Sequence, residues 1–288
     1  MTKRTESNDT DKWDIKITSG GGYLDFHFSE LWHYRDLLRM FVKKDIITVY
    51  KQTILGPIWF IAQPLLTSLM FFVVFTNIAN ISTGPVPALL FYLIGTTLWS
   101  YFSDTLNMTS RTFTENSSIF GKVYFPRIIL PISKVMSGLV KFLIQFGLFF
   151  VVWLYYVFVE KRITPNWYIL LTPIWLFVIV VLSFCFGIII TSLTTKYRDL
   201  VFLIGFGVQL AMYITPVIIP LSGVHGKKKL FFLLNPLTSL FEAFKFGFFG
   251  QGSFDVKWII YSVVFTIVLL AIGIFTFNRV EKRFIDTV

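Results

Sequence analysis

Six long apolar stretches constrain this chain more than any other feature of its sequence. Crossing the hydrocarbon core of a bilayer, about 30 Å thick, takes about 20 apolar residues in a helix. The stretches that reach this length are residues 57–79, 87–108, 135–158, 167–191, 200–220 and 258–278. Because backbone groups inside lipid must bond within their own segment, each stretch is predicted to be a helix rather than a strand. The sequence therefore predicts an all-α integral membrane protein with six transmembrane helices.

The overall composition agrees with a membrane location and argues against an enzyme. Hydrophobic residues make up 55% of the chain and charged residues 15%, whereas a soluble domain keeps roughly a quarter of its residues charged. The single cysteine lies in an apolar run and the three histidines are scattered, so no disulfide framework and no metal site is expected. The motifs GxxxxGK[ST], HExxH and GxSxG do not occur. We expect no catalytic residue and no cofactor on this chain, so any ATP hydrolysis would belong to another polypeptide.

The distribution of lysine and arginine predicts how the chain is oriented. With the N-terminus inside, the cytoplasmic segments hold 18 basic residues and the outer loops hold 7, Lys245 among them. This bias follows the positive-inside rule and predicts that both termini are cytoplasmic. It also explains the net charge of +10 by topology, so a nucleic-acid partner is not expected. Residues 1–22 are predicted to be a flexible cytoplasmic tail, 23–56 an amphipathic helix region and 57–288 the transmembrane domain.

An amphipathic helix is predicted directly before the first span. Apolar residues recur at steps of three or four over Leu31–Tyr50, which gives one apolar stripe. Basic residues flank that stripe at steps of four: Arg35, Arg39 and Lys43. The pattern is typical of a helix that lies on a membrane surface with its cations on anionic headgroups, and docking of a protein partner is the second interpretation. Gly56 and Pro57 then permit a bend into the membrane, and Trp59 fits the interface.

Ionisable residues are scarce inside the predicted spans. Asp104 is the main exception, and Arg111 and Glu115 follow it on the same helical face, while Lys141 lies within the third span. A carboxylate in hydrocarbon is costly unless it is paired or hydrated, so Asp104 is a functional candidate. The structural alternative is an ion pair at the inner interface, where the helix leaves the lipid.

An aromatic face is predicted on the fifth span. Its members recur at steps of four and three: Phe202, Phe206, Gln209, Tyr213 and Pro216. Aromatic rings present flat faces to the C–H bonds of sugars and tolerate sliding, because such contacts are weakly directional. The face would suit a sugar polymer, and a helix–helix packing face is the alternative.

Two loops between the spans are unusual. The inner loop Glu115–Pro126 is predicted to contain a short helix that presents the aromatic side chain of Phe120, with an ordinary surface loop as the alternative. The outer segment 221–256 is too apolar for a solvated loop, and Pro236 interrupts it. We expect two short helices there that dip into the outer leaflet.

Four segments together resemble the permease subunit of type-2 ABC exporters of the O-antigen, capsule or teichoic-acid group. They occur in the expected order, with the expected spans between them, and cover nearly the whole chain from Tyr23. The segments are ELWHYRDLLRMFVKKDIITVYKQTILGPIWFIAQPLL (Glu30–Leu66), NSSIFGKVYFPRIILPIS (Asn116–Ser133), KYRDLVFLIGFGVQLAMYITPVI (Lys196–Ile218) and NPLTSLFEAFKFGFF (Asn235–Phe249). In the first segment, Lys43-Lys44-Asp45 stands where an Arg-Asp pair is usual, which keeps the charge and the helical phase.

The resemblance implies a role for each segment. Leu31–Tyr50 would be an interface helix that touches an ATPase, and Asn116–Tyr124 a cytoplasmic coupling helix seated in a cleft of that ATPase. The coupling residues would be Asn116, Ser117, Ile119, Phe120, Lys122 and Tyr124. The first and fifth spans would border a canal lined by Trp59, Phe202, Phe206, Gln209 and Tyr213. The re-entrant gate helices before the last span would contain Asn235, Pro236 and Glu242.

The resemblance also implies partners, and it leaves the cargo open. Family members are homodimeric permeases with two ATPase subunits, which hold the ATP and Mg. The expected location is the bacterial inner membrane, with lipids around the chain, and the expected cargo is a lipid-linked polysaccharide. A permease for a drug, haem or a lipid shares the same fold and stays an alternative. A membrane-embedded transferase that modifies the glycan is a third, which would need a set of catalytic groups that the sequence offers only singly.

Overall fold

The computed structural model describes residues 28–51, 56, 58–116, 125–194, 197, 199–252 and 254–285. Within these residues the chain is helical and contains no strand, so the all-α prediction is confirmed for them. The tail predicted over residues 1–22 lies outside the described residues. So do five of the predicted coupling residues: Ser117, Ile119, Phe120, Lys122 and Tyr124.

The helices follow the predicted order along the chain. The first half contains α1 (Phe28–His33), α2 (Arg35–Lys51), α3 (Ile58–Phe71) with its π-helical continuation (Phe72–Ile78), α4 (Ala88–Ser110) and α5 (Thr112–Glu115). The second half contains α6 (Ile129–Phe158), a 3-10 turn (Trp167–Leu171), α7 (Thr172–Thr194), α8 (Leu200–Tyr213), α9 (Lys227–Leu234), α10 (Pro236–Phe249) and α11 (Val256–Ile285). A helix therefore occupies each of the six predicted span positions.

Four helical stretches are long and apolar enough to cross a membrane. They are Ile58–Ile78, Ile129–Phe158, Trp167–Thr194 and Val256–Val280, at the first, third, fourth and sixth predicted positions. At the second position α4 has the length, but its hydroxyl-bearing residues and one aspartate lower its hydropathy. At the fifth position α8 has only 14 residues. Six crossings therefore remain a prediction.

The helix at the fifth position ends earlier than the sequence predicted. The apolar stretch continues to residue 220, but α8 stops at Tyr213 and a turn follows. Pro216 explains the difference, since it has no N–H to donate and its ring disfavours helical backbone in the residue before it. Within that turn, the Ile214 and Thr215 N–H groups donate to the Ala211 and Met212 carbonyls at the end of α8.

α4 forms the centre of the bundle. It packs against α3, α6, α7 and α8. Its side chains Leu90, Leu93 and Leu98 are completely buried. Thr96 and Thr97 are buried as well, and their hydroxyls donate to backbone carbonyls one turn earlier. Because neighbouring helices surround α4, these hydroxyls meet protein rather than lipid, which accounts for its lower hydropathy.

Two glycines let the neighbouring helices approach α4 closely. A Cβ atom at Gly187 of α7 would overlap the side chain of Thr109. A Cβ atom at Gly138 of α6 would lie 2.8 Å from the Thr105 hydroxyl oxygen. Small residues at crossings are common between membrane helices, where close packing has to drive association. Both glycines therefore help to fix where α6 and α7 cross the central helix.

Candidate functional site

The apolar side of α2 rests on the beginning of α6. Phe125, Ile129 and Leu130 form a buried cluster there, and residues of α1 and α2 pack on it: Leu31, Tyr34, Leu37, Leu38 and Phe41. The ring centroids of Phe41 and Phe125 are 5.9 Å apart. Part of the apolar stripe predicted from the sequence therefore contacts the protein itself, because the chain before α6 brings Phe125 underneath α2.

The three basic residues predicted on the interface helix lie at its surface. The guanidinium carbon of Arg35 is 5.6 Å from the centre of the Trp32 ring. Arg39 donates to Asp36 at 3.2 Å, and both side chains are more than 70% exposed. Lys43 is exposed as well. These cations are available to lipid headgroups or to a partner protein.

Five polar side chains join α6 to α2 and α4, and we call this set the polar seam: Lys134, Ser137 and Lys141 on α6, Asp45 on α2 and Asp104 on α4. Lys134 Nζ lies 2.8 Å from Asp45 Oδ1, and the Ser137 hydroxyl lies 3.3 Å from the second oxygen of Asp45. Lys141 Nζ lies 2.6 Å from Asp104 Oδ2. The exposed fractions of the four charged side chains range from 13% to 38%, so both ion pairs are partly withdrawn from water.

The structure gives Asp104 a partner that the sequence did not assign to it. Asp104 and Arg111 share a face of α4, but seven residues of helix separate their Cα atoms by about 10 Å along the axis. Lys141 comes from α6 instead and closes the pair. Arg111 follows the last residue of α4 and is exposed. Periodicity within one helix could not identify a partner that lies on another.

Among the predicted coupling residues, Asn116 is the one within the described part of the chain. It follows α5 at its C-terminal end, and its side-chain amide donates to the Thr112 carbonyl at 2.9 Å. This hydrogen bond caps the last turn of α5. The role of the segment as a coupling helix stays a prediction.

The predicted canal residues lie on the surface of the single chain. The exposed fractions are 81% for Phe202, 60% for Phe206 and for Tyr213, and 46% for Trp59. Gln209 is exposed too. α8 packs mainly against α4 and α7 on its other side. In the part of the chain that the structure describes, these aromatic side chains are therefore not covered by another helix, and they are open to lipid, to cargo or to another subunit.

Two helices, α9 and α10, occupy the outer segment for which two short helices were predicted. Asn235 begins α10: its side-chain oxygen accepts from the Leu237 N–H at 3.1 Å, and its amide donates to the Thr215 hydroxyl at 2.9 Å. Pro236 fills the first turn, and its carbonyl accepts from the Ser262 hydroxyl at 2.8 Å. These bonds tie the start of α10 to the turn after α8 and to α11. A gating role for the segment stays a prediction.

Lys245 lies in an environment that the sequence analysis did not predict. It was counted with the basic residues of the outer loops, and its side chain is only 3% exposed. Its ammonium lies 3.6 Å from the centre of the Phe91 ring and donates to the Pro216 carbonyl. Glu242, which is 5% exposed, precedes it by three residues on the same face of α10. The position of Glu242 and Lys245 within an otherwise apolar helix was the signal that could have indicated that both charges are buried.

The helices define the class of protein. Four helical stretches are long and apolar enough to cross a membrane, which is the pattern of a multi-pass membrane protein. Within the described residues no group of three His, Cys, Asp or Glu side chains could hold a metal ion.

The family can now be identified. The model of the ABC-2 type transporter family matches residues 36–249, which run from α2 to the end of α10 and make up most of the chain. This chain belongs to that family, whose members are transport subunits. The resemblance to ABC permeases drawn from four sequence segments is confirmed.

Relatives with nearly the same length support the assignment. Two proteins from Klebsiella pneumoniae are 27% identical over 252 residues and 26% identical over 251 residues, each alignment covering 87% of this chain and 94% of the relative. A protein from Myxococcus xanthus is 24% identical over 261 residues, which cover 90% of this chain and 98% of the relative. All three are named O-antigen export system permease protein RfbA.

Proposed function

We propose that this chain is the permease subunit of an ATP-driven exporter that moves a lipid-linked polysaccharide of the O-antigen kind across the bacterial inner membrane. The observation that carries the proposal is the similarity to O-antigen export permeases over 94–98% of their length. The family match over residues 36–249 includes α2 and both α9 and α10, which a shared set of membrane spans alone would not require. The exposed aromatic face of α8 is the second support.

The energy source in this proposal is a separate protein. Two ABC ATPase subunits bind ATP and Mg and contact the cytoplasmic side of the permease through α2 and residues 116–124. The exposed cations Arg35, Arg39 and Lys43 support contact with a partner or with headgroups at this side. The excess of basic residues in the predicted inner segments supports cytoplasmic termini.

The transport path in this proposal is a canal between two copies of the chain. Each copy contributes α3 and α8, so that Trp59, Phe206 and Tyr213 face the cargo. A long polymer cannot be enclosed in a pocket, and aromatic walls hold sugar rings through contacts that allow sliding. Closure of the ATPases on ATP moves the helices as rigid bodies and shifts the canal from closed to open.

The proposal can be tested in the organism that carries the gene. Deleting the gene should remove the polysaccharide from the cell surface and leave lipid-linked polymer on the inner side of the membrane. Expression of this chain from a plasmid should restore the surface polymer, which an antibody or a lectin detects. Normal surface polymer in the deletion strain, together with altered resistance to a drug, would instead favour a drug exporter.

A further inference from the structure

The polar seam connects the amphipathic helix to three helices of the bundle. Lys134, Ser137 and Lys141 are spaced by three and four residues, so they lie on one face of α6. Asp45 reaches this face from α2 and Asp104 reaches it from α4. Lys141 also lies 5.5 Å from the centre of the Phe60 ring on α3. One face of α6 therefore contacts α2, α3 and α4 through charged side chains.

The attachment of Asp45 is directional. Lys134 binds one of its oxygens at 2.8 Å, and the Ser137 hydroxyl, which is shared with the Ser133 carbonyl, lies 3.3 Å from the other. Hydrogen bonds between charged groups are short and depend on geometry, whereas apolar contacts are not directional. The contact between Phe41 and the cluster below it could slide, but the contact at Asp45 fixes the register of α2 on α6.

A second ion pair on α2, between Asp36 and Arg39, is an ordinary surface contact and serves for comparison. Their side chains are 76% and 77% exposed, and exposed pairs of this kind contribute little. The side chains of Asp45 and Lys134 are 15% and 13% exposed, and they join residues that are 89 positions apart in the sequence. The pair at Asp45 therefore links two elements, whereas the pair at Asp36 links two turns of one helix.

We propose that the polar seam transmits the movement of α2 into the membrane helices, with Asp45 and Lys134 as positioning residues. The proposal rests on the proposed function, because it requires a motor protein that pushes on α2. A displacement of α2 pulls α6 through Lys134, and α6 moves α4 through Lys141 and Asp104. Since α4 is the centre of the bundle and packs against α8, the movement reaches the helix that carries the aromatic face.

The test uses the complete permease–ATPase complex in proteoliposomes and measures the polysaccharide exported per ATP hydrolysed. Asp45→Asn should lower this ratio about two- to thirty-fold, the range expected for residues that carry coupling between sites. ATP hydrolysis should continue, because the Asp45 side chain is bonded to α6 and the variant leaves the exposed cations of α2 unchanged. Glu160→Gln makes the corresponding change in an ion pair outside α2, between Glu160 and Arg162 at 3.0 Å after the end of α6, and should leave the ratio unchanged.

Exchange of the two charges distinguishes transmission from a general loss of structure. Lys134→Asp alone places a carboxylate next to Asp45 and should also lower the ratio. The double variant Asp45→Lys with Lys134→Asp restores opposite charges and should recover a substantial part of the export. If Asp45→Asn prevents assembly of the complex, Asp104→Asn breaks the second link of the seam and carries the same test.

The outcomes separate the two proposals. If the wild-type complex exports polymer and Asp45→Asn behaves like Glu160→Gln, the role of the seam is wrong and the proposed function stands. Failure of the exchange to restore export, with each single variant impaired, would also contradict transmission through this ion pair. If the wild-type complex hydrolyses ATP without exporting polymer, the proposed function is wrong and the role of the seam is wrong with it.

Discussion

At the scale of single residues, the most deeply buried charge in the described part of the chain is Lys245. Taking an ammonium group out of water is costly unless it is hydrogen-bonded or paired. The Pro216 carbonyl and the Phe91 ring supply that compensation, and Glu242 lies on the same face. The Pro216 that ends α8 early therefore also places an acceptor for a lysine on α10. The side chain connects α10 to α4 and to the turn after α8.

Because Lys245 is buried and bonded, a substitution that keeps its length is predicted to lower the stability of the protein. Lys245→Met keeps the length of the side chain but removes the hydrogen bond to the Pro216 carbonyl and a positive charge near the buried Glu242, and leaving buried polar groups uncompensated costs about 1–3 kcal/mol. The midpoint of thermal unfolding in detergent should fall clearly. Lys257→Met, which changes an exposed lysine near the start of α11, should change stability by about 0.5 kcal/mol or less.

A second substitution provides an internal check of that argument. If the loss comes from the unbalanced charge of Glu242, adding Glu242→Gln to Lys245→Met should recover part of the stability. An unfolding midpoint of Lys245→Met equal to that of the wild type would show that the buried lysine does not stabilise this region.

At the scale of helices, the crossing of α4 and α7 depends on Gly187. A Cβ atom there would overlap Thr109, so Gly187→Ala should force the two helices apart and lower the unfolding midpoint. Gly147 on α6 has no neighbour within 4 Å of a Cβ atom, and Gly147→Ala should gain up to about 1 kcal/mol from helix propensity. Equal stabilisation by both substitutions would contradict the close crossing.

The sequence predicted the elements well and their contacts less well. Helices at all six span positions follow from apolar length, and α2 follows from periodicity, since both are local properties. The end of α8 could have been predicted from Pro216. The pairing of Asp45 with Lys134 could not have been predicted, because neither segment indicates that two residues 89 positions apart will lie side by side. The low hydropathy of α4 became interpretable only once its central position was known.

The predicted coupling segment gives a further test at the scale of elements. Phe120 lies outside the described residues, and its role is proposed from the sequence and the family. Replacing Phe120 with alanine should leave ATP hydrolysis in the complex and reduce export, because the aromatic side chain would no longer fill the cleft of the ATPase. Export per ATP equal to that of the wild type would remove Phe120 from the coupling path.

At the scale of the whole molecule, the exposed aromatic face requires an explanation, and the proposed canal provides one. Phe206 and Tyr213 are each 60% exposed on the single chain. The double variant Phe206→Ala with Tyr213→Ala should reduce surface polysaccharide, because the canal would lose its sugar-binding walls. Phe177 on α7 is similarly exposed, at 66%, but lies outside the predicted canal, so Phe177→Ala should leave surface polysaccharide unchanged. Equal effects of both changes would indicate ordinary lipid-facing positions.

The central claim is that the chain is a permease without a motor of its own, and transport by reconstituted protein tests it most directly. Proteoliposomes that contain this chain with its ATPase should move lipid-linked polysaccharide across the membrane only when ATP and Mg are present. Proteoliposomes that contain the chain alone should move none. Export by the chain alone, with no ATP-hydrolysing partner, would contradict the account.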